Sequence, residues 1–292
     1  MVPSETRPSI ASVAPTICTL LGLRMPAQSE APPIGEVIES SRHAFSGRTP
    51  RKALIYAPDA IGAALLRRLP DLEQELRGLS SLRVEVRSQT PPKTPVCFAS
   101  IFTGAHPETH GIRRYERPVL RVETVFDVAI EAGLRVALVA VRDSSIDLIF
   151  RERPMDYHSL PYDPEATERA IRLLKRNEHD VLVVYHQEYD DILHREGPYS
   201  PDAIAAAGRH GASFAALSRV ASEAWRDVDH FLAVTPDHGG HEVVEDAPSD
   251  ASGRNVRGDH GEDIPEDMDV VHFWKFESSV GEGSTRPTGA PP

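Results

Sequence analysis

The sequence predicts an α/β fold in which a mostly parallel central sheet is covered by helices on both faces. Two observations predict it. Short apolar, β-branched runs alternate along the chain with segments whose apolar residues repeat at helical spacing. The chain has 292 residues and is 40% hydrophobic, which is enough for one large α/β domain or two modest ones.

The alternation starts with residues 53–57 (ALIYA), a predicted buried strand, followed by residues 61–77, a predicted helix with Gly78 as its stop. Further strands are predicted at 82–86, 134–141, 181–185, 231–235 and 270–274. Further helices are predicted at 94–102, 122–132, 164–177 and 201–226. Residues 24–50 are rich in Pro and Ser and are expected to form a loop or linker. Residues 281–292 are rich in Gly and Pro and are expected to be a disordered tail.

Charge and cysteine content limit the partners and the compartment. The 44 acidic and 32 basic residues give a formal charge of −12, which opposes binding to long nucleic acids. No apolar stretch is long enough to cross a bilayer, and the first residues lack a secretory signal pattern. With only Cys18 and Cys97, no disulfide framework is implied. We therefore expect a cytoplasmic protein that does not associate with membranes; a homo-oligomer is compatible with the sequence.

Carboxylates and imidazoles follow several of the predicted strands. Asp59 comes after strand 53–57, although an Asp there is also a favoured helix N-cap. Asp237 and His238 follow strand 231–235. Asp190 and His194 lie one helical turn apart, with Asp191 as an alternative to Asp190. The last of these candidates is His260. Such side chains hold zinc, and strand ends of an open α/β sheet present them well.

The segment around Thr94 carries a family resemblance. Thr94 begins a predicted helix, and Gly104, ten residues later, belongs to a TG-x-x-P-x-x-HGI sequence that runs from Thr103 to Ile112. This resembles the nucleophile helix of the alkaline phosphatase superfamily, most closely its nucleotide pyrophosphatase and phosphodiesterase branch. The resemblance implies that Thr94 is the nucleophile; the alternative is a simple N-cap. A hydroxyl at a helix N-terminus faces backbone N–H groups and the positive end of the helix dipole.

The other motifs resemble the same family. Asp190 to Pro198 is similar to the D-x-x-G-H-x-x-G-P element, with Leu193 in place of the Gly, and residues 237–239 are similar to the DHG element. His260 and Gly261 are similar to its final HG element. The resemblance implies that one metal is held by Asp190, His194 and His260. The other would be held by Asp59, Asp237 and His238 together with Thr94.

Two further observations on these motifs bear on the chemistry. Cys97 is out of register with the sulfatase nucleophile, so a sulfatase is not favoured. The Asn that usually follows HGI is missing, and Arg113, Arg114 and Tyr115 stand there instead. The Tyr115 hydroxyl is a candidate to donate a hydrogen bond to the phosphoryl oxygens, and Lys93 or an Arg is a candidate to supply charge; each is equally compatible with a solvated surface position.

The N-terminal residues 10–23 resemble a DIAPTI-x-x-LLG helix that lies near the C-terminus of most superfamily members. We therefore expect a circular permutation, in which residues 1–50 form the permuted helix and a linker; an ordinary amphipathic helix is the alternative. The short gaps between the ligand motifs predict no large cap domain. Residues 1–280 are then a single alkaline-phosphatase-like catalytic domain.

The predicted function is metal-dependent hydrolysis of phosphate esters in a small phosphorylated substrate. A phosphodiester or a nucleotide pyrophosphate bond is expected, cleaved through a covalent phospho-Thr94 intermediate at a two-metal site. Zinc suits the Asp and His ligands best, with manganese and iron as alternatives. A phosphomonoester or phosphonate hydrolase and a non-catalytic metal-binding member are the competing hypotheses.

Overall fold

The computed structural model describes residues 7–245 and 255–279 and confirms the predicted α/β class. In chain order the strands are β1 Lys52–Pro58, β2 Leu82–Arg87, β3 Val136–Val141, β4 Asp156–Leu160, β5 Val181–His186, β6 His230–Val234, β7 His241–Glu245, β8 Asn255–Asp259 and β9 Asp269–Glu277. After a 3-10 turn at Ile10–Ser12, the helices are α1 Val13–Leu20, α2 Gly35–Ala44, α3 Ala63–Arg68, α4 Pro70–Gly78, α5 Thr94–Thr103, α6 Pro107–His110, α7 Val125–Glu131, α8 Ser145–Ile149, α9 Asp163–Arg176, α10 Glu188–Glu196, α11 Pro201–Ala224 and α12 Pro265–Met268.

Seven strands form one central sheet in the order β2-β9-β6-β1-β5-β3-β4. β1 pairs in parallel with both β5 and β6, and β3 pairs in parallel with β4 and β5. Only β9 runs against its neighbours, antiparallel to β6 on one side and to β2 on the other. β7 and β8 form a separate antiparallel ribbon. The sheet is therefore mostly parallel, as predicted.

Helices cover both faces of the sheet because successive residues of a strand point to opposite sides. On one face, Ile55 of β1 belongs to a hydrophobic cluster with α1, α2, α5, α7 and α8. On the other face, Leu54 and Tyr56 belong to a second cluster with α3, α4, α9, α10 and α11. Strands such as β1, β3 and β5 are buried along their whole length, which explains their continuous apolar sequences.

Two predictions of local structure are wrong. The predicted helix 61–77 is two helices, α3 and α4, because Pro70 supplies no N–H and the backbone of Leu69 leaves the helical region before it. The predicted loop at 24–50 contains α2, which buries Val37 and Ile38 in the first cluster. β4, β7 and β8 are additional strands. The expected tail at 281–292 lies outside the described residues.

The chain between the ligand motifs at His194 and Asp237 consists of elements of this layered unit. Between His194 and Asp237 the structure places α11 and β6, so within the described residues no cap domain is inserted there. None of the described helices is both long and apolar enough to cross a membrane. That residues 1–280 form one catalytic domain stays a prediction.

Candidate metal centre

The predicted ligands gather at the carboxyl ends of three adjacent strands. Asp59 follows β1, Asp237 and His238 follow β6, and α10, which carries Asp190 and His194, follows β5. The carboxyl ends of parallel strands meet at one edge of the sheet, which is where open α/β folds bind ligands. The β7–β8 ribbon packs beside α10 and ends at Asp259, which brings the next residue, His260, to the same edge.

Asp59, Asp237 and His238 form one triad, in which one potential ligand atom from each lies within 4.8 Å of the others. His238 Nε2 is 3.4 Å from Asp59 Oδ1 and 3.2 Å from Asp237 Oδ2. All three side chains are almost completely buried. The second carboxylate oxygen of Asp59 accepts a hydrogen bond from the hydroxyl of Tyr185. These three side chains could hold one cation.

Asp190, His194 and His260 form the other triad, again with ligand atoms within 4.8 Å of one another. His194 Nε2 is 3.5 Å from Asp190 Oδ2, and His260 Nε2 is 3.5 Å from Asp190 Oδ1. The two triads are in contact, since the rings of His238 and His260 stack with their centroids 3.9 Å apart. The structure thus brings all six predicted ligands into one double cluster; their role as ligands stays a prediction.

The hydrogen bonds of the three histidines fix which ring nitrogen carries the proton. In each case Nδ1 lies within hydrogen-bond distance of a backbone carbonyl oxygen: His194 with Gly258 at 3.3 Å, His260 with Pro92 at 2.7 Å, and His238 with Gly239 at 2.9 Å. A carbonyl only accepts, so Nδ1 donates, and Nε2 of each neutral ring carries a lone pair. His194 Nε2 and His260 Nε2 face each other at 3.0 Å. Two lone pairs at that distance repel unless a cation lies between the rings.

The carboxylates give the same indication. Asp190 Oδ1 and Asp237 Oδ2 are buried without a hydrogen-bond partner. The pKa values of Asp59, Asp190 and Asp237 are raised well above the usual range for aspartate. The largest cause is burial, and the second is the charge of a neighbouring carboxylate. Burial lowers the pKa of His238 to about 3, so this imidazole supplies no positive charge. Crowded carboxylates, neutral imidazoles and orphaned oxygens fit divalent cations.

Thr94 lies against this double cluster as the first residue of α5. Its Oγ1 is 3.5 Å from Asp59 Oδ1 and 3.3 Å from His238 Nε2. The side chain is 4% exposed. Lys93, the N-cap residue, has extended backbone, and Pro95 occupies the first turn, where a missing N–H costs nothing. The hydroxyl therefore sits between the triads and the free N–H groups of the helix.

Two glycines allow the loops that carry Asp59 and Asp237 to meet. A Cβ on Gly62 would lie 2.5 Å from the Cα of Gly239, and a Cβ on Gly239 would lie 2.1 Å from the carbonyl oxygen of Glu266. Real Cβ atoms do not approach other atoms that closely, so any larger residue would push the two loops apart. Gly239, the glycine of the DHG element, thus allows close packing of the two loops beside the site.

A polar cavity of about 210 Å³ opens beside Thr94, lined by Asp59, Thr94, Tyr115, Arg117, Asp143, Ser144, Ser145, Tyr185, Gln187, Asp190 and Asp191. Of the residues that replace the missing Asn, Tyr115 lines it. Arg113 donates to the carbonyl of Glu108, and Arg114 pairs with Glu116 on the surface. Arg117, which no sequence motif marks, also lines the cavity and donates to the carbonyl of Asp143.

The structure also places the remaining candidates. The Asp191 carboxylate accepts hydrogen bonds from Tyr162 and Gln187, so Asp190 is the aspartate that faces the histidines. The ammonium of Lys93 donates to the carbonyl of His260 and lies 3.3 Å from Asp259 Oδ1, so it contacts the loop that carries a predicted ligand. Tyr185 also contacts the site through Asp59, but in the sequence it ends an apolar strand run and does not differ from a core residue.

Comparisons with known proteins agree with the fold. The profile of the type I phosphodiesterase / nucleotide pyrophosphatase family matches residues 54–252. Murine ectonucleotide pyrophosphatase/phosphodiesterase 5, an inactive variant in complex with AMP, is similar with a TM-score of 0.57 and 14% identity, over 78% of this chain and 88% of that one. Human ectonucleotide pyrophosphatase/phosphodiesterase 5 gives 0.56 and 14%, over 77% and 87%.

Phosphonoacetate hydrolase from Sinorhizobium meliloti 1021, in complex with phosphonoacetate, has a TM-score of 0.50 and 19% identity, over 67% of this chain and 59% of that one. This chain thus spans less than two thirds of that hydrolase. No curated protein matches the sequence. The family match begins at residue 54 and does not test the permutation, which stays a prediction. Because that match covers more than half of the sequence, the chain belongs to the type I phosphodiesterase / nucleotide pyrophosphatase family of the alkaline phosphatase superfamily.

Proposed function

We propose that this chain hydrolyses phosphate esters with Thr94 as its nucleophile, in a site that holds two divalent cations. Family membership supports phosphoester hydrolysis. One observation carries the rest: the Nε2 lone pairs of His194, His238 and His260 converge beside a buried hydroxyl at a helix N-terminus. The assembly is not a complete hydrogen-bond network, since Nε2 of His194 and Nε2 of His260 face each other and neither carries a proton to donate.

Each triad would hold one cation, the first with Asp59, Asp237, His238 and Thr94, the second with Asp190, His194 and His260. Zinc suits this donor set best, and manganese and iron are the alternatives. When bound, the cations supply positive charge that lowers the pKa of a hydroxyl and neutralises phosphoryl oxygens. The carboxylates would then be ionised despite their burial.

Thr94 would attack the phosphorus through Oγ1. The Thr94 hydroxyl gives up its proton to solvent as a new bond forms from Oγ1 to phosphorus, the bond from phosphorus to the leaving oxygen breaks, and the leaving oxygen takes a proton from solvent. The backbone N–H groups of the first turn of α5 favour the negative charge that develops there. Water then cleaves the phospho-Thr94 intermediate and restores the hydroxyl. The Tyr185 hydroxyl, by donating to Asp59, holds that carboxylate in place during both steps.

The expected substrate is a phosphodiester or nucleotide pyrophosphate of a small molecule. The cavity of about 210 Å³ beside Thr94 suits a polar group of limited size, with Arg117 and Tyr115 at its wall. The same dimensions favour a phosphomonoester or a phosphonate as the second candidate class. The net charge of −12 disfavours long nucleic acids. A cytoplasmic location, based on two cysteines that the structure leaves unpaired, stays a prediction.

The experiment is elemental analysis of purified wild type and Thr94→Ala, with hydrolysis of bis-p-nitrophenyl phosphate and of p-nitrophenyl phosphate measured on the same samples. We expect two metal ions in the wild type and a rate loss of about 10³-fold or more in the variant, because the attacking group is gone. The ratio of the two rates in the wild type assigns the substrate class.

The control is Thr103→Ala, which removes a buried threonine hydroxyl from the C-terminal end of the same helix. It should keep the metal and most of the activity. A wild type that binds no metal and turns over neither substrate after reconstitution contradicts the proposal. If Thr94→Ala and Thr103→Ala lose activity equally, the loss comes from disturbing the packing of α5, and the role of Thr94 as nucleophile is wrong.

A further inference from the structure

A third buried group of ligand-type side chains lies on the opposite face of the sheet from Thr94. Asp163, His186 and His210 have potential ligand atoms within 4.8 Å of one another and are each at most 5% exposed. His186 ends β5, Asp163 begins α9, and His210 lies within α11. Together they border a cavity of about 330 Å³. By composition alone this group resembles the two triads of the metal centre.

Its hydrogen bonds go to the start of α10, the helix that carries Asp190 and His194. Asp163 Oδ1 accepts from the N–H of Gln187 and Oδ2 from the N–H of Glu188, both at 3.0 Å. His210 Nε2 accepts from the N–H of Tyr189 at 3.2 Å. The first N–H groups of a helix have no partner within the helix. Here side chains from α9 and α11 satisfy three consecutive ones.

Each proton position in this network determines the next one. Since His210 Nε2 accepts, its Nδ1 carries the proton and donates to the Tyr56 oxygen at 3.0 Å. The Tyr56 hydroxyl then donates to His186 Nδ1 at 2.9 Å. His186 therefore carries its proton on Nε2 and donates to Thr167 Oγ1 at 3.1 Å. Each imidazole is neutral and uses both nitrogens.

This arrangement argues against a third metal. A cation would have to displace Tyr56 from His186, or displace the N–H of Tyr189 from His210, and leave a buried polar group without a partner. None of the atoms of Asp163, His186 and His210 is orphaned, in contrast to Asp190 and Asp237. Burial lowers the pKa of both histidines to about 3, in agreement with the neutral rings.

We propose that Asp163 and His210 are positioning residues that set the direction of α10 and thereby the placement of Asp190 and His194 in the metal centre. The inference rests on the proposed function, because it assigns these two residues a role through the predicted ligands. A bidentate ion pair between Arg209 of α11 and Glu188 fixes the same turn from outside. Three side chains from two helices, those of Asp163, His210 and Arg209, thus hold the N-terminal end of α10. Asp190 is the next residue after Tyr189, the last residue that they contact.

The experiment compares Asp163→Ala, Asp163→Asn and His210→Gln with the wild type by two readouts. The first is amide hydrogen exchange of the metal-free proteins, in which we expect faster exchange in α10 and unchanged exchange in α5. The second is titration with Co²⁺, followed by its absorption. In Asp163→Ala we expect the Co²⁺ affinity of the site formed by Asp190, His194 and His260 to fall roughly 10- to 100-fold, the usual cost of losing a partner that orients a metal ligand. The affinity of the other site should change little. Asp163→Asn and His210→Gln keep one acceptor and should lie between.

Thr124→Ala is the matched control, because Thr124 caps α7, a helix without site residues. It should lower the stability of the protein and leave the ratio of the two Co²⁺ affinities unchanged. Unchanged exchange in α10, equal weakening of both sites, or a third Co²⁺ that disappears in His210→Gln would each overturn the inference. The exchange readout needs no metal, so a wild type that binds none refutes the proposed function while the role of Asp163 in holding α10 is still decided.

Discussion

Two regions of this molecule contain the same residue types and differ in how their polar atoms are satisfied. Around Thr94, three imidazoles direct lone pairs inward, and the oxygens Asp190 Oδ1 and Asp237 Oδ2 have no partner. Around Tyr56, two imidazoles and a carboxylate exchange hydrogen bonds until each atom has a partner. Composition and burial do not separate these regions. The balance of donors and acceptors does, and it favours a cation around Thr94 and not around Tyr56.

The largest expected contrast comes from removing one charge in each region. Asp190→Asn should lower activity at least about 100-fold, since loss of an outer partner alone costs 10- to 100-fold. Yet the metal-free variant should unfold at the same or a higher temperature than metal-free wild type, because a crowded carboxyl group that is costly to ionise and has an unpartnered oxygen is gone. Calorimetry of chelator-treated proteins, with activity assays after reconstitution, measures both effects.

Asp163→Asn is the counterpart in the other region and should lower the unfolding temperature of the metal-free protein. An amide cannot accept from Gln187 and Glu188 with both of its polar atoms. If both Asn variants destabilise the metal-free protein equally, the distinction between an unsatisfied site and a satisfied network is wrong.

Two buried tyrosines sharpen the comparison at a smaller scale. Tyr56→Phe removes the hydroxyl that joins His186 and His210, and leaving buried groups unpaired costs about 1–3 kcal/mol each. We expect a stability loss of that order with both metals retained, measured by denaturant unfolding and elemental analysis. Tyr185→Phe, which loses the bond to Asp59, should instead weaken metal binding. The reverse pattern would contradict the assignment of the two regions.

The smallest effect expected is on pH dependence. Burial lowers the pKa of His210 to about 3. In the unfolded chain this histidine has its ordinary pKa near 6.5, so below that pH the unfolded state binds more protons than the folded state. His210 therefore stabilises the fold fully above pH 6.5 and loses its contribution as the pH falls toward about 3. His210→Gln should therefore be less stable than wild type at pH 7.5, with a difference that narrows at pH 4.5. Urea unfolding of the metal-free proteins at both values tests this, and a constant difference would exclude it.

Much of the fold was predictable because it rests on periodicity. The strands at 53–57 and 181–185 are continuous apolar runs, and the structure extends each by only one or two residues. The helix α2 was missed because its sequence, GEVIESSRHA, is polar and follows two prolines, and only its contacts with the core select the helix. The break before Pro70 was missed because the apolar spacing continues through it.

Most of the predicted ligands were accessible from sequence because they follow a predicted strand or lie one helical turn from another ligand, and His260 was accessible through its similarity to the final HG element. The partners that orient them were not. Gly258 and Pro92 act through backbone carbonyls, which no side-chain pattern reveals. Asp163 and His210 are separated from Asp190 by parts of α9 and α11, and only the packing of those helices brings them together. Arg117 reaches the cavity wall through a loop that has no periodicity.

The position of β9 has a consequence for synthesis of the protein. β9 follows every other described strand in the chain, yet it lies between β6 and β2 in the sheet. As the chain leaves the ribosome, β2 emerges early and has no strand to pair with until Glu277 has been made. The loop with His260 emerges just before β9. The nascent chain therefore carries an open sheet edge and an incomplete set of ligands until β9 emerges, and it closes both in the same interval.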